Sequence, residues 1–123
     1  KLLGLTINNF KKIDELPVLY TSISEQDQFI NDFKKGDSEG FVNFGLSVSG
    51  ILCSVLFIEK KDEGIIKISF RSKGDFKVNI FASRYFSGGG HEHASGGVSK
   101  LSLIETEKKF IVDIKQYIKE NYE

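Results

Sequence analysis

Apolar residues along this chain follow two recurring patterns, one typical of β-strands and the other typical of α-helices. A β-rich run over residues 18–23 follows the only proline and predicts a first strand. Residues 51–58 are almost continuously apolar, as in a central strand covered on both faces. Apolar and polar positions alternate over residues 65–71, and the turn at 62–64 predicts an antiparallel hairpin between these two strands. Residues 98–103 predict an edge strand.

Helical spacing separates these strands. Ser24 and Asp27 resemble a capping box, and the helix that they begin is expected to end at residues 34–36. Its predicted apolar face consists of Phe29, Ile30 and Phe33. Residues 40–50 fit both a strand and a helical stripe, and a short helix is favoured.

Two further helices are predicted in the second half of the chain. Asp75 is expected to cap the first, which ends at the glycine run that begins at Gly88. Its apolar face is formed by Val78, Phe81, Ala82 and Tyr85. Ser102 and Glu105 are spaced for a capping box at the start of the last helix. The apolar face of that helix is formed by Phe110, Ile111, Ile114, Tyr117 and Ile118.

The order of these elements predicts an α/β fold with a mixed central sheet flanked by helices. One domain is expected over residues 13–123. Residues 1–12 are interpreted as the end of an interdomain linker or helix, and the absence of methionine at position 1 and elsewhere suggests that a segment precedes Lys1.

Composition restricts the class of protein further. The 17 basic and 17 acidic residues cancel, so any anion site must be local and no overall positive field attracts nucleic acid. Cys53 lies within an apolar run and is predicted to be a core residue in a reducing compartment. No stretch approaches the roughly 20 apolar residues of a membrane span, and no signal peptide is evident. A cytoplasmic location without membrane association is the resulting expectation.

The richest candidate chemistry lies in the glycine run Gly88, Gly89 and Gly90, followed by His91. Glycine lets backbone N–H groups approach a ligand closely, and histidine adds a donor that carries positive charge near neutral pH. This combination suits a phosphate. The alternative is a flexible glycine linker, but predicted packed elements flank the run on both sides, which favours a site.

Arg71 is the second candidate. It ends a predicted strand on the polar side of the alternation and precedes a predicted helix, the place where open α/β sheets bind ligands. A guanidinium can hold a phosphate through two parallel hydrogen bonds. The alternative is an ordinary solvent-exposed arginine at a strand end. Sequence alone does not show whether Arg71 and His91 converge, since the predicted helix separates them.

These segments together resemble a known family. Residues 71–75 (RSKGD), then 78–82 (VNIFA), then 88–97 (GGGHEHASGG) agree in order and spacing with the DHHA1 domain, the C-terminal domain of DHH-family phosphoesterases. Residues 36–43 also resemble an acidic turn of that family. The NrnA-like branch of oligoribonucleases and pAp phosphatases, often labelled exopolyphosphatase-related, is the most similar. Ser95 stands where a second alanine is frequent, and His93 lies outside the signature.

The resemblance implies a two-domain enzyme. An N-terminal DHH domain, absent from this chain, would hold two manganese ions, while the domain at hand binds short RNA or nucleotide phosphates. The matching positions imply that Arg71 and His91 grip phosphate beside the three glycines, with Ser72 and Ser95 as weaker candidates. No catalytic residue and no cofactor are expected in this chain, which alone is predicted to be inactive. An oligomer is possible.

Three alternatives remain at this stage, and the third is a purely structural interaction domain whose glycine loop is a tight packing corner, which would leave the pair Arg71 and Ser72 without an explanation. His91 and His93 share one face of an extended segment and invite a metal interpretation, but no further ligand cluster completes the set, so no metal site is predicted. The second alternative is a non-catalytic RNA-binding or oligomerisation module like the C-terminal domain of alanyl-tRNA synthetase. Net neutrality argues against it, because RNA-binding modules usually present a basic face.

Overall fold

A single mixed sheet organises the computed structural model, which describes residues 9–30 and 37–122. The strands are β1 Lys11–Lys12, β2 Val18–Ile23, β3 Cys53–Lys60, β4 Ile65–Ser72, β5 Gly89–His91 and β6 Ala94–Ser99. The described helices are α1 Glu25–Ile30, α2 Asp37–Leu46, α3 Val78–Tyr85 and α4 Leu103–Asn121. The sheet order is β1-β2-β3-β4-β6-β5, and β2 and β3 form its parallel pair. The predicted α/β class with a mixed, helix-flanked sheet is confirmed.

The main core lies on the side of the sheet that α3 and α4 cover, here called the α4 face. Apolar side chains of β2, β3 and β4 pack there against both helices. The ring of Phe110 meets those of Phe57, Tyr20 and Phe81 edge to face, with centroids 5.3, 5.8 and 5.9 Å apart. Edge-to-face contacts add to area burial, so Phe110 contributes to the attachment of α4 to the sheet and to α3.

The opposite side of the sheet, here called the α2 face, carries a smaller core. Ile23, Phe41, Val42, Leu56 and Ile58 form it, and α2 packs on this side over β3, β4 and part of β2. Among the described residues, no helix packs extensively from this side on β5 or β6. The β6-β5 end of the α2 face is therefore open within the described part of the chain, whereas β4 is partly covered by α2.

The predicted strands at residues 18–23, 51–58 and 65–71 are confirmed, and β3 and β4 pair as an antiparallel hairpin. Gly64 in the connecting turn has φ +68°, which glycine adopts without a Cβ clash. The edge strand predicted at residues 98–103 is wrong in place and role. The strand is β6, Ala94–Ser99, which lies between β4 and β5. Strands β4 and β5 supply hydrogen-bond partners for the backbone of β6 on both sides. This pairing stabilises a strand that the glycines of β6 alone would not predict.

The glycine run itself is the second correction at this end of the sheet. Gly89, Gly90 and His91 form the edge strand β5 rather than a loop. Tertiary pairing with β6 overrides the low strand propensity of glycine.

The last helix is confirmed together with its capping box. Glu105 N donates to Ser102 Oγ at 3.1 Å, and Ser102 N donates to Glu105 Oε1 at 3.2 Å. The predicted face of α3 is also confirmed, but its start is not. Lys77 is the N-cap and makes no side-chain capping bond, so Asp75 does not cap the helix.

The first half of the chain requires two more corrections. Ser24 and Asp27 exchange the expected hydrogen bonds, but Phe29 is 89% exposed and lies outside the core. The ambiguous segment is helical as far as Leu46, as favoured, and residues 47–50 form a turn. Because α2 begins at Asp37, the expected acidic turn forms the first part of a helix from that residue onward. Phe33 and the helix end predicted at 34–36 lie outside the described residues.

Cys53 is fully buried at the start of β3, as predicted. Burial raises the pKa of its thiol well above the usual range, so the thiol stays protonated and acts as a small core side chain. Lys11 and Lys12 pair with β2, so the sheet begins just before residue 13. None of the described helices is both long and apolar enough to cross a membrane.

Candidate functional site

The sheet brings Arg71 and His91 into one row of side chains. Arg71 of β4 pairs with Ala94 of β6, and Ala94 pairs with His91 of β5. Directly opposite residues in antiparallel strands project to the same face, here the α2 face. Two strand spacings separate Arg71 from His91, about 10 Å between their backbones. With only an alanine between them, the two donor side chains face one shared surface.

A second row of small residues lies beside the first. Ser69 pairs with Gly96, and Gly96 pairs with Gly89. Ser69, Gly96 and Gly89 therefore form the surface of the α2 face next to Arg71 and His91, here called the floor. Because these side chains are small or absent, a ligand can approach the backbone closely.

Packing explains some of these glycines and not others. A Cβ at Gly88 would lie 1.8 Å from the carbonyl oxygen of Gly96, and one at Gly97 would lie 2.9 Å from that of Phe86. Gly90 has φ +144° and no room for a side chain. In contrast, a Cβ at Gly89 would meet nothing within 4 Å. The packing of the described residues therefore does not require glycine at 89.

Arg71 has unused hydrogen-bonding capacity. Its Nη1 donates to the carbonyl oxygen of Phe70 at 2.9 Å, and the side chain is half-buried. No carboxylate among the described residues forms an ion pair with it. A guanidinium has five N–H donors, so most remain available for an anion.

His91 is exposed on the edge strand, and its ring makes no hydrogen bond within the described part of the chain. His93 is placed differently. Its Nε2 lies 3.0 Å from the carbonyl oxygen of Gly74, in the loop between β4 and α3. The two histidines therefore do not point at a common ion.

Ser72 and Ser95 lie apart from Arg71 and His91. Ser72 follows Arg71 in β4 and so faces the other way, where it is 4% exposed. Its hydroxyl accepts from Val78 N and donates to the carbonyl oxygen of Glu92, both at 3.3 Å. Ser95, opposite Phe70, is also buried on the α4 face. The structure does not bring either serine to the open surface.

Two backbone donors anticipated for an anion are already used. Val78 N, at the start of α3, donates to the carbonyl oxygen of Glu92 at 2.9 Å. Gly88 N donates to that of Ala82 at 3.1 Å. Val78 N and Gly88 N therefore already have partners within the described part of the chain, and Val78 N ties the start of α3 to the β5-β6 turn.

The described residues do not fit a metal centre. They contain no group of three or more histidine, cysteine, aspartate or glutamate side chains that could hold an ion. No chemical step through a metal can be placed on this part of the chain.

Sequence reasoning missed the remainder of the polar surface. Lys67 and Ser69 share the α2 face with Arg71, and Lys60 of the neighbouring strand β3 lies on the same face. The signal was present, since the alternation over residues 65–71 already assigned Lys67, Ser69 and Arg71 to one side.

Comparison with known proteins identifies the family. The model of the DHHA1 domain matches residues 15–120. The chain belongs to the DHHA1 domain family. No curated protein sequence matches it. The region matched includes the Arg71 and His91 row and the glycines beside it.

Solved structures support the assignment of this DHHA1 domain. It is similar to an exopolyphosphatase-related protein from Bacteroides fragilis, with 37% identity and a TM-score of 0.88 over 94% of this chain and 34% of that one. The pGpG-specific phosphodiesterase PggH from Vibrio cholerae shares the fold, with 15% identity and a TM-score of 0.59 over 94% of this chain and 38% of that one. The chain thus spans little more than a third of each protein.

Proposed function

We propose that this DHHA1 domain holds the substrate of a phosphoesterase that hydrolyses phosphate esters of short oligonucleotides or pAp-like nucleotides. Two manganese ions, which an N-terminal DHH domain of the same protein would hold, would supply the hydrolytic chemistry. Membership of the DHHA1 family supports the phosphoesterase class, and the substrate and the metals are part of the proposal. The phosphatase-related and phosphodiesterase names of the two similar structures point to the same reaction class.

One observation carries the proposal. Arg71 and His91 occupy one row on the α2 face, beside a glycine at 89 that packing does not require. Arg71 supplies a permanent charge with paired N–H donors, and His91 supplies a further donor. Between them lies a surface with no bulky side chain, where a phosphate can approach both groups.

The chemistry of this domain is positioning. Holding a substrate phosphate in a fixed place relative to reacting groups lowers the entropic part of the barrier. The described residues contain no group of three or more histidine, cysteine, aspartate or glutamate side chains that could hold a metal ion for the hydrolytic step. The domain therefore contributes to the rate through binding energy expressed in kcat/KM.

Kinetics of Arg71 variants of the full-length protein test the proposal, with pAp and a short oligoribonucleotide as substrates. Hydrogen bonds to charged groups contribute about 1.5 to 3 kcal/mol, so Arg71→Ala should lower kcat/KM by roughly one to two orders of magnitude. Arg71→Lys should recover only part of this loss, because an ammonium cannot make the paired contact.

Arg84→Ala is the matched control. Arg84 is exposed on α3, over the ring of Tyr117 and on the other side of the sheet. Its loss should leave kcat/KM unchanged. Normal kinetics of Arg71→Ala combined with a lower melting temperature would assign Arg71 to structure and overturn the proposal.

A further inference from the structure

We infer that an apolar pocket at one end of the sheet docks a protein segment in which an arginine adjoins an aliphatic residue. The pocket lies where β2 and β3 begin and α4 ends, and its volume is about 350 Å³. Arg71, Ala94 and His91 do not line it. The inference therefore goes beyond the proposed function and concerns a partner rather than the substrate.

Aliphatic side chains form most of the pocket. Leu16 and Pro17 come from the loop before β2, Leu52 immediately precedes β3, and Ile118 belongs to α4. Leu52 is 36% exposed, so apolar surface remains accessible. Leu52 N donates to the carbonyl oxygen of Pro17 at 2.8 Å, and Lys73 N donates to that of Leu52 at 3.0 Å. These bonds tie the surrounding loops together, so an occupant gains mainly by burying apolar surface.

An aromatic wall completes one side of the pocket. The ring of Tyr122 stacks on that of Phe76, with centroids 4.9 Å apart and an interplanar angle of 8°. The Tyr122 hydroxyl accepts a hydrogen bond from Lys77 N at 3.2 Å, which holds the ring in place. Phe76 is buried, whereas Tyr122 is 41% exposed, so the tyrosine ring keeps surface for a ligand. Guanidinium groups stack on such rings.

Asp75 gives the pocket its charge. Among the lining residues that the structure describes, only Asp75 is charged. The two nearest lysines in sequence are engaged elsewhere. Lys73 Nζ donates to the carbonyl oxygen of Leu46 at 2.6 Å, and Lys77 pairs with Glu92 at 3.5 Å. Within the described part of the chain, no cation forms an ion pair with Asp75. A carboxylate without a cation beside apolar surface favours a cationic partner.

Stack, carboxylate and aliphatic surface together indicate arginine. A guanidinium is planar and can stack on Tyr122 while it donates paired hydrogen bonds to Asp75, whereas an ammonium is a strongly hydrated point charge. An aliphatic residue next to that arginine would pack against Leu52 and Ile118. Arginine and tyrosine are also enriched among the residues that dominate protein–protein binding. A nucleotide phosphate is disfavoured here, because the carboxylate repels it.

Methyl NMR of the full-length protein, labelled at leucine and isoleucine methyl groups, tests the inference. The probe is acetyl-Leu-Arg-amide, and its matched control is acetyl-Leu-citrulline-amide, which keeps the shape of the side chain and lacks the charge. We expect the arginine probe to shift the methyl signals of Leu16, Leu52 and Ile118 in a saturable way. Its apparent Kd should be lower than that of the citrulline probe by roughly 5-fold or more, because only the guanidinium forms a charged pair.

Asp75→Asn should abolish this preference for arginine and leave the fold intact, because Asp75 is exposed. Asp62→Asn is the control. Asp62 is an exposed carboxylate between β3 and β4 that does not line the pocket, so the preference should persist. Unmoved methyl signals would overturn the inference, including the case in which another part of the full-length protein already covers the pocket. Equal affinity for the two probes, or an unchanged preference in Asp75→Asn, would also overturn it.

Discussion

At the scale of single residues, neighbours in sequence have opposite surroundings. Arg71 lies half-buried on the α2 face, whereas Ser72 is enclosed on the α4 face and joins β4, α3 and the β5-β6 turn. The cause is the two-residue period of a strand. A motif quoted as a contiguous pair can therefore combine a ligand-facing residue with a purely structural one.

Substitutions at Gly89 and Gly88 test the same distinction between a residue that faces a ligand and a residue that the packing requires. Gly89→Val should leave the melting temperature nearly unchanged, because its Cβ meets nothing within 4 Å and valine favours strands. In the full-length protein it should lower kcat/KM, and by more than His91→Ala, since it fills the floor beside Arg71. Steady-state kinetics and thermal unfolding of the same samples check both statements.

Gly88→Ala provides the contrast. A Cβ placed 1.8 Å from a backbone oxygen cannot be accommodated without moving β6, so this variant should lose stability by about 1–3 kcal/mol. If Gly89→Val retains normal kcat/KM, the open space at Gly89 has no role in ligand approach.

At the scale of elements, the β5-β6 hairpin is held by hydrogen bonds to the end of β4 and the start of α3. Ser72 N donates to the carbonyl oxygen of His93, and Val78 N donates to that of Glu92. Lys77 and Glu92 add an exposed ion pair at 3.5 Å, which contributes little by itself. These contacts fix the edge strand that carries His91 relative to the strand that carries Arg71.

The attachment of α4 to the sheet should depend on Phe110. Its ring is fully buried and meets three other rings edge to face. Phe110→Ala should lower the free energy of unfolding by about 3–5 kcal/mol, through lost burial and the cavity left behind. Urea denaturation measures this loss of unfolding free energy.

Val112→Ala on the same helix is the control. Val112 is 67% exposed, so its replacement should change stability by less than about 0.5 kcal/mol. Equal effects of the two substitutions would show that the aromatic cluster does not hold α4.

At the scale of the whole molecule, the proposed substrate surface lies in a part of the chain whose described residues contain no group of side chains that could hold a metal ion. We expect the purified chain of residues 1–123, supplied with manganese, to release no phosphate or mononucleotide from pAp or short RNA above background. The full-length protein, assayed in parallel, should hydrolyse at least one of these substrates. Turnover by the chain alone that survives removal of contaminating nucleases would contradict the division of labour between two domains.

Much of this organisation follows from the sequence. Hydrophobic periodicity determined β2, β3, β4 and α4, because apolar spacing directly reflects which face of an element is buried. The Ser102 and Glu105 capping box formed as its local spacing predicts. The spacing of the Arg71 segment and the glycine run also indicates the DHHA1 family, to which the chain belongs.

Other features depended on tertiary contacts. A run of three glycines has no intrinsic strand preference, and only pairing with β6 made β5 from it. The burial of Ser72, the exposure of Phe29 and the different steric demands of Gly88 and Gly89 likewise depend on distant neighbours. Above all, the shared row of Arg71, Ala94 and His91 is a matter of strand register. Strand register brings together residues that are about 20 positions apart in the chain. The local sequence around each of them does not specify that pairing.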